Sequence, residues 1–401
     1  MALFVPAAAG AQSREDRHVT AISAHVLLHA SPVALVDPVR QRRARAIADY
    51  QDGLFIGWAG APILAFLWLW TSGNAARLRD LLRRAFRAPW LQRGAFGVAL
   101  GSLATVASLP FAFASYRVSL NVGLTAQTIP SWFAGELLRL VTVSLWTALL
   151  VIVILGLVDR TRLWYLVFIG ILYATALTVV AIEPVLFSPL TSNEQPAPAA
   201  IVAQGDAVAR ALGTSPVPLM ITGTSRRSTA AVARTSGLGP FARIIIGAEG
   251  LQSMTPGERQ FMLARQYAHL AAHDVLWLTL AGTTLFVFAA ALAVLISDRI
   301  GFRRDDDPLA RLPLVGTFLG VAVLLLYPAY NALERGGEAR ADRLALTVAA
   351  PESGVRFLVR RADDDLVALC GRRTIRWYFE SRPPLGSRIA AMAHTTDPCP
   401  R

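Results

Sequence analysis

The chain has 401 residues, of which 54% are hydrophobic and only 16% are charged, and its mean hydropathy is +0.46. This balance excludes an ordinary soluble domain of this length and indicates an integral membrane protein. A net charge of +12, with arginine at all 39 basic positions, would ordinarily suggest nucleic acid as a partner. Because these arginines flank long apolar runs, membrane lipid is the simpler partner, and no nucleic-acid binding is predicted.

Residues 1–50 are predicted to form an N-terminal tail and an interfacial segment. The stretch from about 20 to 35 is expected to lie at the membrane surface as a helix or to form an unstructured lead. Three histidines, His18, His25 and His29, fall in or near this stretch. They have no acidic residues beside them at a metal-ligand spacing, so no metal site is assigned to them.

Four long uncharged runs follow within residues 51–190, each near the span of about 20 residues that a helix needs to cross a bilayer. The predicted transmembrane helices of this region cover residues 54–70, 95–115, 140–158 and 163–182. Several arginines between Arg77 and Arg93 separate the first run from the second. Besides a positively charged loop outside the membrane, an amphipathic helix that lies on lipid headgroups is an alternative prediction for this segment.

Residues 191–274 are predicted to form a soluble domain that ends in a chemically suggestive helix. Thr255, Pro256 and Glu258 have the pattern of a helix N-terminus, because a capping hydroxyl is followed by a first-turn proline and by a glutamate three residues after the cap. The same helix continues to a degenerate metal motif.

That motif places Arg265, Gln266 and His269 at the spacing of His-Glu-x-x-His. In the intact motif two histidines one turn apart bind zinc, and the glutamate acts as the general base. Only the second histidine position, His269, still carries a ligand.

Residues 275–330 are predicted to contain two further transmembrane helices, from apolar runs at 275–297 and 312–330. The first run follows the motif helix directly. One long helix is therefore expected to leave the membrane and to carry His269 just beyond its surface.

Residues 331–401 are predicted to complete the soluble domain, beginning with a helix that carries Glu338, Ala341 and Asp342. Four spans separate the arginine-rich segment 40–45 from the soluble domain, and two more precede Glu338. These three parts therefore lie on one side of the membrane.

These motifs, in this order, resemble the integral-membrane zinc metallopeptidases of the CAAX prenyl protease type 1 group and their bacterial relatives. In that family the first motif helix reads His-Glu-x-x-His and a later helix reads Glu-x-x-Ala-Asp. The similarity extends over about residues 35–395 and includes the segment 225–228 before the motif helix and 379–385 near the end. It implies a multi-pass α-helical membrane protein with an inserted gluzincin-like α+β metallopeptidase domain.

The resemblance also implies a location and a chemistry. Active relatives hydrolyse peptides near the membrane, prenylated ones included, with zinc as their only cofactor. The family precedent places the peptidase-like domain in the cytoplasm, and the use of arginine without lysine favours a bacterial inner membrane. The arginines from Arg77 to Arg93 would then lie outside, against the usual distribution of positive charge.

The departures from the family pattern are concentrated at the chemical positions. Arg265 replaces a zinc-binding histidine, Gln266 replaces the general base, and Arg382 replaces a histidine that usually precedes a proline. Because arginine stays protonated, Arg265 has no lone pair for a metal, and Gln266 cannot accept a proton from a metal-bound water. His269 and Glu338 are then vestigial metal ligands, and the sequence predicts a pseudopeptidase without a cofactor.

Two environments are open for Arg265. In the first, its guanidinium takes the position of zinc and pairs with Glu338 or Asp342, giving these carboxylates the positive partner that the metal gives in active relatives. Alternatively, it faces a water-filled cavity.

Two functions also stay open. The favoured one is a catalytically inactive membrane protein that binds a polypeptide or a lipidated peptide, or that regulates an active paralogue. The other is an active metalloendopeptidase with an unconventional zinc site formed by His269, His273 and Glu338, since two histidines at i and i+4 can reach one metal. The shifted motif has Leu270 where the base is needed.

Two smaller groups complete the predictions. Cys370 and Cys399 are too few for a disulfide framework and are predicted to be unpaired in the cytosol. The aspartate runs 305–307 and 363–365 are expected to be solvated loop or helix-cap carboxylates.

Overall fold

The computed structural model describes residues 19, 21–186, 194–222, 233–301, 307–372 and 375–399. The predictions for the tail before Val19, for His18, for the segment 225–228 and for Asp305 and Asp306 lie outside these residues.

The N-terminal segment packs one side against the soluble domain. It forms a short helix, α1 (Ala24–His29), followed by a 3-10 helix (Pro32–Leu35). Leu27 is 0% exposed and Leu35 is 2% exposed, and both pack in the core of the soluble domain. This segment is therefore a helix and not an unstructured lead, because its buried side chains pack against the soluble domain, and its placement at the membrane surface stays a prediction.

The next five helices are α2 (Pro38–Thr71), α3 (Asn74–Ala85), α4 (Pro89–Asn121), α5 (Ile129–Val158) and α6 (Trp164–Leu186). Asp37 begins α2 by accepting hydrogen bonds from the backbone N–H groups of Val39 and Arg40 at 2.6 and 3.2 Å. The arginine-rich helix α3 forms as predicted, with Arg83 in an ion pair with Asp307. Its position on lipid headgroups stays a prediction.

The soluble domain has a small sheet backed by helices. Its elements are β1 (Glu194–Pro196), α7 (Ala199–Ala211), β2 (Leu219–Thr222), β3 (Ala233–Ser236), β4 (Arg243–Gly247), α8 (Ala248–Ser253) and α9 (Pro256–Ala271). The strand order is β1-β2-β4-β3, in which β2 and β4 are parallel and the two outer pairs are antiparallel. Ile244 and Ile246 of β4 share a buried core with Leu263 and Tyr267 of α9. This core positions α9 beside the sheet.

The predicted start of α9 is confirmed. Thr255 Oγ1 accepts a hydrogen bond from the Glu258 N–H at 3.3 Å, and Glu258 Oε2 accepts one from the Thr255 N–H at 2.7 Å. This reciprocal capping box satisfies two backbone donors that the first helical turn leaves without partners.

Two long helices follow, α10 (Asp274–Gly301) and α11 (Pro308–Ala345). Asp307 caps α11, as expected for a helix-cap carboxylate. The prediction that α9 continues into the membrane as one helix was wrong. The chain breaks between them, where His273 adopts a left-handed conformation with φ of 53°. Periodicity did not reveal this break, because it contains neither glycine nor proline.

Six helices of the described chain are long and apolar enough to cross a membrane, namely α2, α4, α5, α6, α10 and α11. Each contains one of the predicted apolar runs, so the multi-pass helical fold class is confirmed. The predicted domain boundaries at residues 190 and 274 fall beside the end of α6 and the start of α10.

The C-terminal part comprises α12 (Pro351–Asp364), α13 (Arg376–Phe379) and α14 (Leu385–Ala393). Cys370 and Cys399 form a disulfide across 29 residues, with 5.4 Å between their Cα atoms. The prediction of unpaired cysteines was wrong. Beyond α14 the left-handed His394 ends the helix, and the last residues of the described chain bring Cys399 to Cys370.

The second aspartate run is less solvated than predicted. Asp363 and Asp365 are 6% and 7% exposed, so neither is a solvated loop carboxylate, and Asp365 is the residue at the C-terminal cap of α12. Asp363 accepts a hydrogen bond from the Asp37 N–H at 3.2 Å, and Asp365 pairs with Arg361 at 3.3 Å. Both are buried because the end of α12 packs against the start of α2, a contact between segments more than 300 residues apart.

Candidate functional site

Arg265 lies between two carboxylates of α11. Its Nε donates a hydrogen bond to Asp342 Oδ1 at 2.7 Å, and its Nη2 forms an ion pair with Glu338 Oε2. Glu338 and Asp342 are four residues apart, so they project from one face of α11 toward α9. The Arg265 side chain is only 5% exposed. Of the two environments left open by the sequence, the structure has the ion pair.

Two further arginines complete this arrangement. Arg388 of α14 donates to both oxygens of Asp342, from Nε at 2.6 Å and from Nη2 at 2.8 Å. Arg382 donates from Nε to Glu338 Oε1 at 3.2 Å. Each carboxylate is therefore shared by two guanidinium groups, and three cations surround two anions.

Gln266 occupies the general-base position as a satisfied neutral amide. Its Oε1 accepts a hydrogen bond from Thr235 Oγ1 of β3 at 3.1 Å, and the residue is only 5% exposed. A side chain held in this way orients the helix toward the edge strand. It offers no group that can take up a proton at neutral pH.

His269 faces the same cleft, on the acidic side. Its Nδ1 lies 2.8 Å from Asp274 Oδ2, and its Nε2 lies 4.0 Å from Glu338 Oε1. Asp274 is in turn paired with Arg340. Of the predicted vestigial ligands, His269 and Glu338 are thus brought together, with the Arg265 guanidinium beside them.

His273 does not lie beside His269 and Glu338 in the cleft. It is exposed at the break between α9 and α10, beyond the last residue of α9. The alternative pairing of His269 and His273 required one continuous helix, so its geometric basis is lost. Within the described ranges no group of three or more histidine, cysteine, aspartate or glutamate side chains is arranged to hold a metal.

The residues present do not fit zinc. A zinc site of this kind needs three protein ligands around an open position. Here the Arg265 guanidinium is bound to Glu338, the carboxylate that would complete such a site. A permanent cation in contact with that ligand opposes the binding of a second cation.

The cleft that contains these groups has a volume of about 170 Å³. Four arginines border it, namely Arg234, Arg265, Arg361 and Arg382, together with Glu338 and Asp274. Burial, and then repulsion from Arg382, lower the pKa of Arg361 to about 10. Burial, and then repulsion from Arg388, also lower the pKa of Arg265. The cleft is therefore a site of positive potential.

The sequence motifs did not identify several of these residues. Arg361 and Arg388 lie 96 and 123 positions beyond Arg265 and belong to no metal motif. Arg388 lies three positions beyond segment 379–385, which resembles the end of the family domain, and this proximity was the one available signal. Thr235 and Asp274 are brought to the cleft by β3 and by the break before α10.

Comparisons with known proteins agree with this architecture. The model of peptidase family M48 matches residues 198–396. The chain is 24% identical over 342 residues to "Uncharacterized metalloprotease YhfN" of Bacillus subtilis (strain 168), which covers 79% of this chain and 76% of that protein.

A solved structure shares the whole fold. The crystal structure of S. mikatae Ste24p superposes with a TM-score of 0.73 at 16% identity, covering 94% of this chain and 95% of that one. Together with the six apolar helices, this similarity supports an integral membrane protein. The chain therefore carries a domain of peptidase family M48 over residues 198–396, within a fold that it shares with Ste24p.

Proposed function

We propose that this protein is a catalytically inactive M48 homologue that binds a polypeptide in the cleft between α9, α11 and β3. The observation that carries the proposal is the Arg265 guanidinium, bound to Glu338 and Asp342 where active relatives hold zinc. Members of the family normally use zinc, and Arg265 is the reason to expect no cofactor here. With Gln266 as a neutral amide, the cleft also lacks a proton acceptor at the base position.

The edge strand supports polypeptide as the ligand. In the described sheet β3 is an outer strand, and Ala233, Arg234 and Thr235 border the cleft. An extended peptide can pair with such an edge through main-chain hydrogen bonds, and nearby pockets then select its side chains.

A second cavity supports a lipidated peptide as a variant of this ligand. It has a volume of about 440 Å³ and lies between α2, α4 and the start of α5. One side of its wall is aromatic and includes Phe55, Trp58 and Phe111, and the other carries hydroxyl and amide groups such as those of Gln51 and Gln127. The aromatic side suits an acyl or prenyl chain, and the polar side suits the peptide to which it is attached.

The cellular setting is also a proposal. The exclusive use of arginine supports a bacterial inner membrane, and the arginines of α3 suit anionic lipid headgroups. A role in regulating an active paralogue is compatible with a retained cleft that no longer cuts.

Metal content tests the proposal. Purified wild-type protein, incubated with zinc and desalted, is expected to retain less than about one tenth of an ion per chain, whereas Arg265→His/Gln266→Glu gains zinc because the ligand and the base are restored. The matched control, Arg265→Gln/Gln266→Glu, lacks the second imidazole and should stay without metal. Stoichiometric zinc in the wild type, lost in His269→Ala and accompanied by cleavage of an unfolded protein substrate, would establish the active metalloendopeptidase instead.

A further inference from the structure

The arginines of the cleft exceed the carboxylates that they bind. Arg265, Arg382 and Arg388 surround only Glu338 and Asp342, so this cluster has a net charge of +1. Among the described residues Arg382 uses only its Nε, on Glu338, and its side chain is 49% exposed. Its two Nη groups are available to a further anion.

Arg361 provides a second guanidinium at the same cleft. Its Nε binds Asp365 at 3.3 Å, and no other side chain within the described ranges accepts from its Nη groups. Arg361 and Arg382 border the same cavity. Two guanidinium groups whose Nη atoms do not bind a side chain of the described residues match the planar, two-oxygen geometry of a carboxylate.

The edge strand β3 indicates which kind of carboxylate ligand fits the cleft. A segment paired with β3 has its backbone beside Thr235 and runs along the cleft that Arg361 and Arg382 border. A free chain end in this position presents two oxygens with a single charge, which matches the surplus of one positive charge. Phosphate has a similar shape but offers no main chain for the strand edge to bind.

We propose that Arg361 and Arg382 bind the free C-terminal carboxylate of a polypeptide that lies along β3. This deepens the proposed function and rests on it, because it specifies which part of the polypeptide enters the cleft. Arg265 takes part indirectly, since it holds Glu338 and so positions Arg382.

Retention of matched peptide pools tests this assignment. The full-length protein in detergent is immobilised and exposed to two pools of random octapeptides, one with free C-terminal carboxylates and one with amidated termini. Wild-type protein is expected to retain the acid pool about tenfold better, the effect of one charge-assisted interaction. Arg382→Ala should abolish the preference, Arg382→Lys should keep part of it, and Arg372→Ala, at a 63% exposed arginine outside the cleft, should leave it unchanged.

The outcomes separate the two levels of the proposal. Equal retention of both pools, or a preference that survives both Arg382→Ala and Arg361→Ala, overturns the carboxylate site and leaves polypeptide binding intact. Retention of neither pool overturns both. Thermal melting of each variant identifies any loss that comes from unfolding.

A second, independent observation concerns the side of the membrane on which the cleft lies. Both cysteines of the chain are in the soluble domain and are joined as Cys370–Cys399. Disulfides persist in oxidising compartments and are rare in the cytosol. The cytoplasmic placement implied by the family precedent conflicts with this pair.

The distribution of arginine points the same way. Opposite the soluble domain, the connections 72–88, 159–163 and 302–307 carry five, two and two arginines. On the domain side, the short connection 122–128 carries none. On the domain side the four arginines in segment 40–45 are joined by Arg117, Arg335, Arg340 and Arg343 at helix ends. The nine in the opposite connections are therefore only a small excess under the rule that positive loops stay in the cytoplasm, and the disulfide carries the orientation.

We infer that the soluble domain faces the oxidising, extracytoplasmic side, so that its polypeptide ligand is met outside the cytoplasm. The native disulfide leaves no free thiol, so labelling of a single introduced cysteine shows on which side of the membrane that residue lies. With a membrane-impermeant maleimide, Arg210→Cys in the soluble domain should label in intact bacterial cells, and Arg87→Cys only after permeabilisation. The reverse pattern overturns the orientation, and so does reaction of the native cysteines in acid-quenched cells without reductant.

Discussion

Two buried clusters of arginine and carboxylate lie along α9, and they differ in how completely their charges are matched. At the start of the helix, Arg360 donates to both oxygens of Glu258, at 2.8 and 3.3 Å, with side chains 2% and 0% exposed. Two turns later, Arg265 shares Glu338 and Asp342 with Arg382 and Arg388. The first cluster is closed and supports the fold, whereas the second borders a cleft and has a surplus positive charge.

The difference shows that burial of a charged group does not by itself indicate function. Glu258 also accepts the Thr255 N–H in the capping box, so every change there affects both a helix start and an ion pair. In the cleft each carboxylate is paired with a second arginine besides Arg265. A site built with such a surplus can lose one arginine and remain folded.

The largest expected effect is at the closed pair. Glu258→Ala removes the capping box and leaves Arg360, at 2% exposure, with the longer ion pair to Asp364 at 3.8 Å, so we expect a loss of about 2 to 4 kcal/mol in the free energy of unfolding. Thermal or denaturant unfolding of the detergent-solubilised protein measures it. A loss below about 1 kcal/mol would contradict the structural role assigned to this pair.

A buried carboxylate without a paired arginine gives an intermediate and pH-dependent effect. Burial raises the pKa of Asp363 from 3.8 to about 6, so the folded state holds its proton more tightly than the unfolded state. The free energy of unfolding therefore falls as pH rises from about 4 to about 6 and stays low above that range.

Asp363→Asn should remove this loss and stabilise the protein above pH 6. The shift corresponds to an upper limit of about 3 kcal/mol, and we expect about 1 to 2 kcal/mol because the amide that replaces the carboxyl is itself a polar group buried at 6% exposure. The amide oxygen can still accept the Asp37 N–H. Melting temperatures of both proteins between pH 4 and 8 provide the test, and parallel profiles would show that Asp363 is not the titrating group.

The smallest effect on stability is expected at the centre of the cleft. Arg265→Ala removes one cation from a cluster in which Glu338 keeps Arg382 and Asp342 keeps Arg388. The expected loss is about 1 kcal/mol, well below that of Glu258→Ala. If both variants melt alike, the cleft cluster is as structural as the closed pair, and the comparison between them fails.

Much of the fold was predictable from local patterns. The six apolar runs and the Thr255 to Glu258 cap depend on hydropathy and on residues within one turn of each other. The degenerate motif at Arg265 and Gln266 was also visible, because its spacing is a property of one helix. The sequence did not predict where a helix breaks, as at His273, or which residues distant in the chain pair, as in the disulfide between Cys370 and Cys399.

By itself the sequence predicted a membrane-spanning chain from its hydropathy and, from its resemblance to a peptidase family, an arginine at the metal position, since hydropathy and motif spacing can be read from the residues themselves. Only the tertiary structure showed that Arg361, Arg382 and Arg388 surround this position and that the cation is bound rather than solvated. The reason is physical: helix spacing relates residues three or four apart, whereas a cleft is made by segments from β3, α9, α11, α12 and the region around α14. How their charges sum depends on packing, which no local pattern encodes.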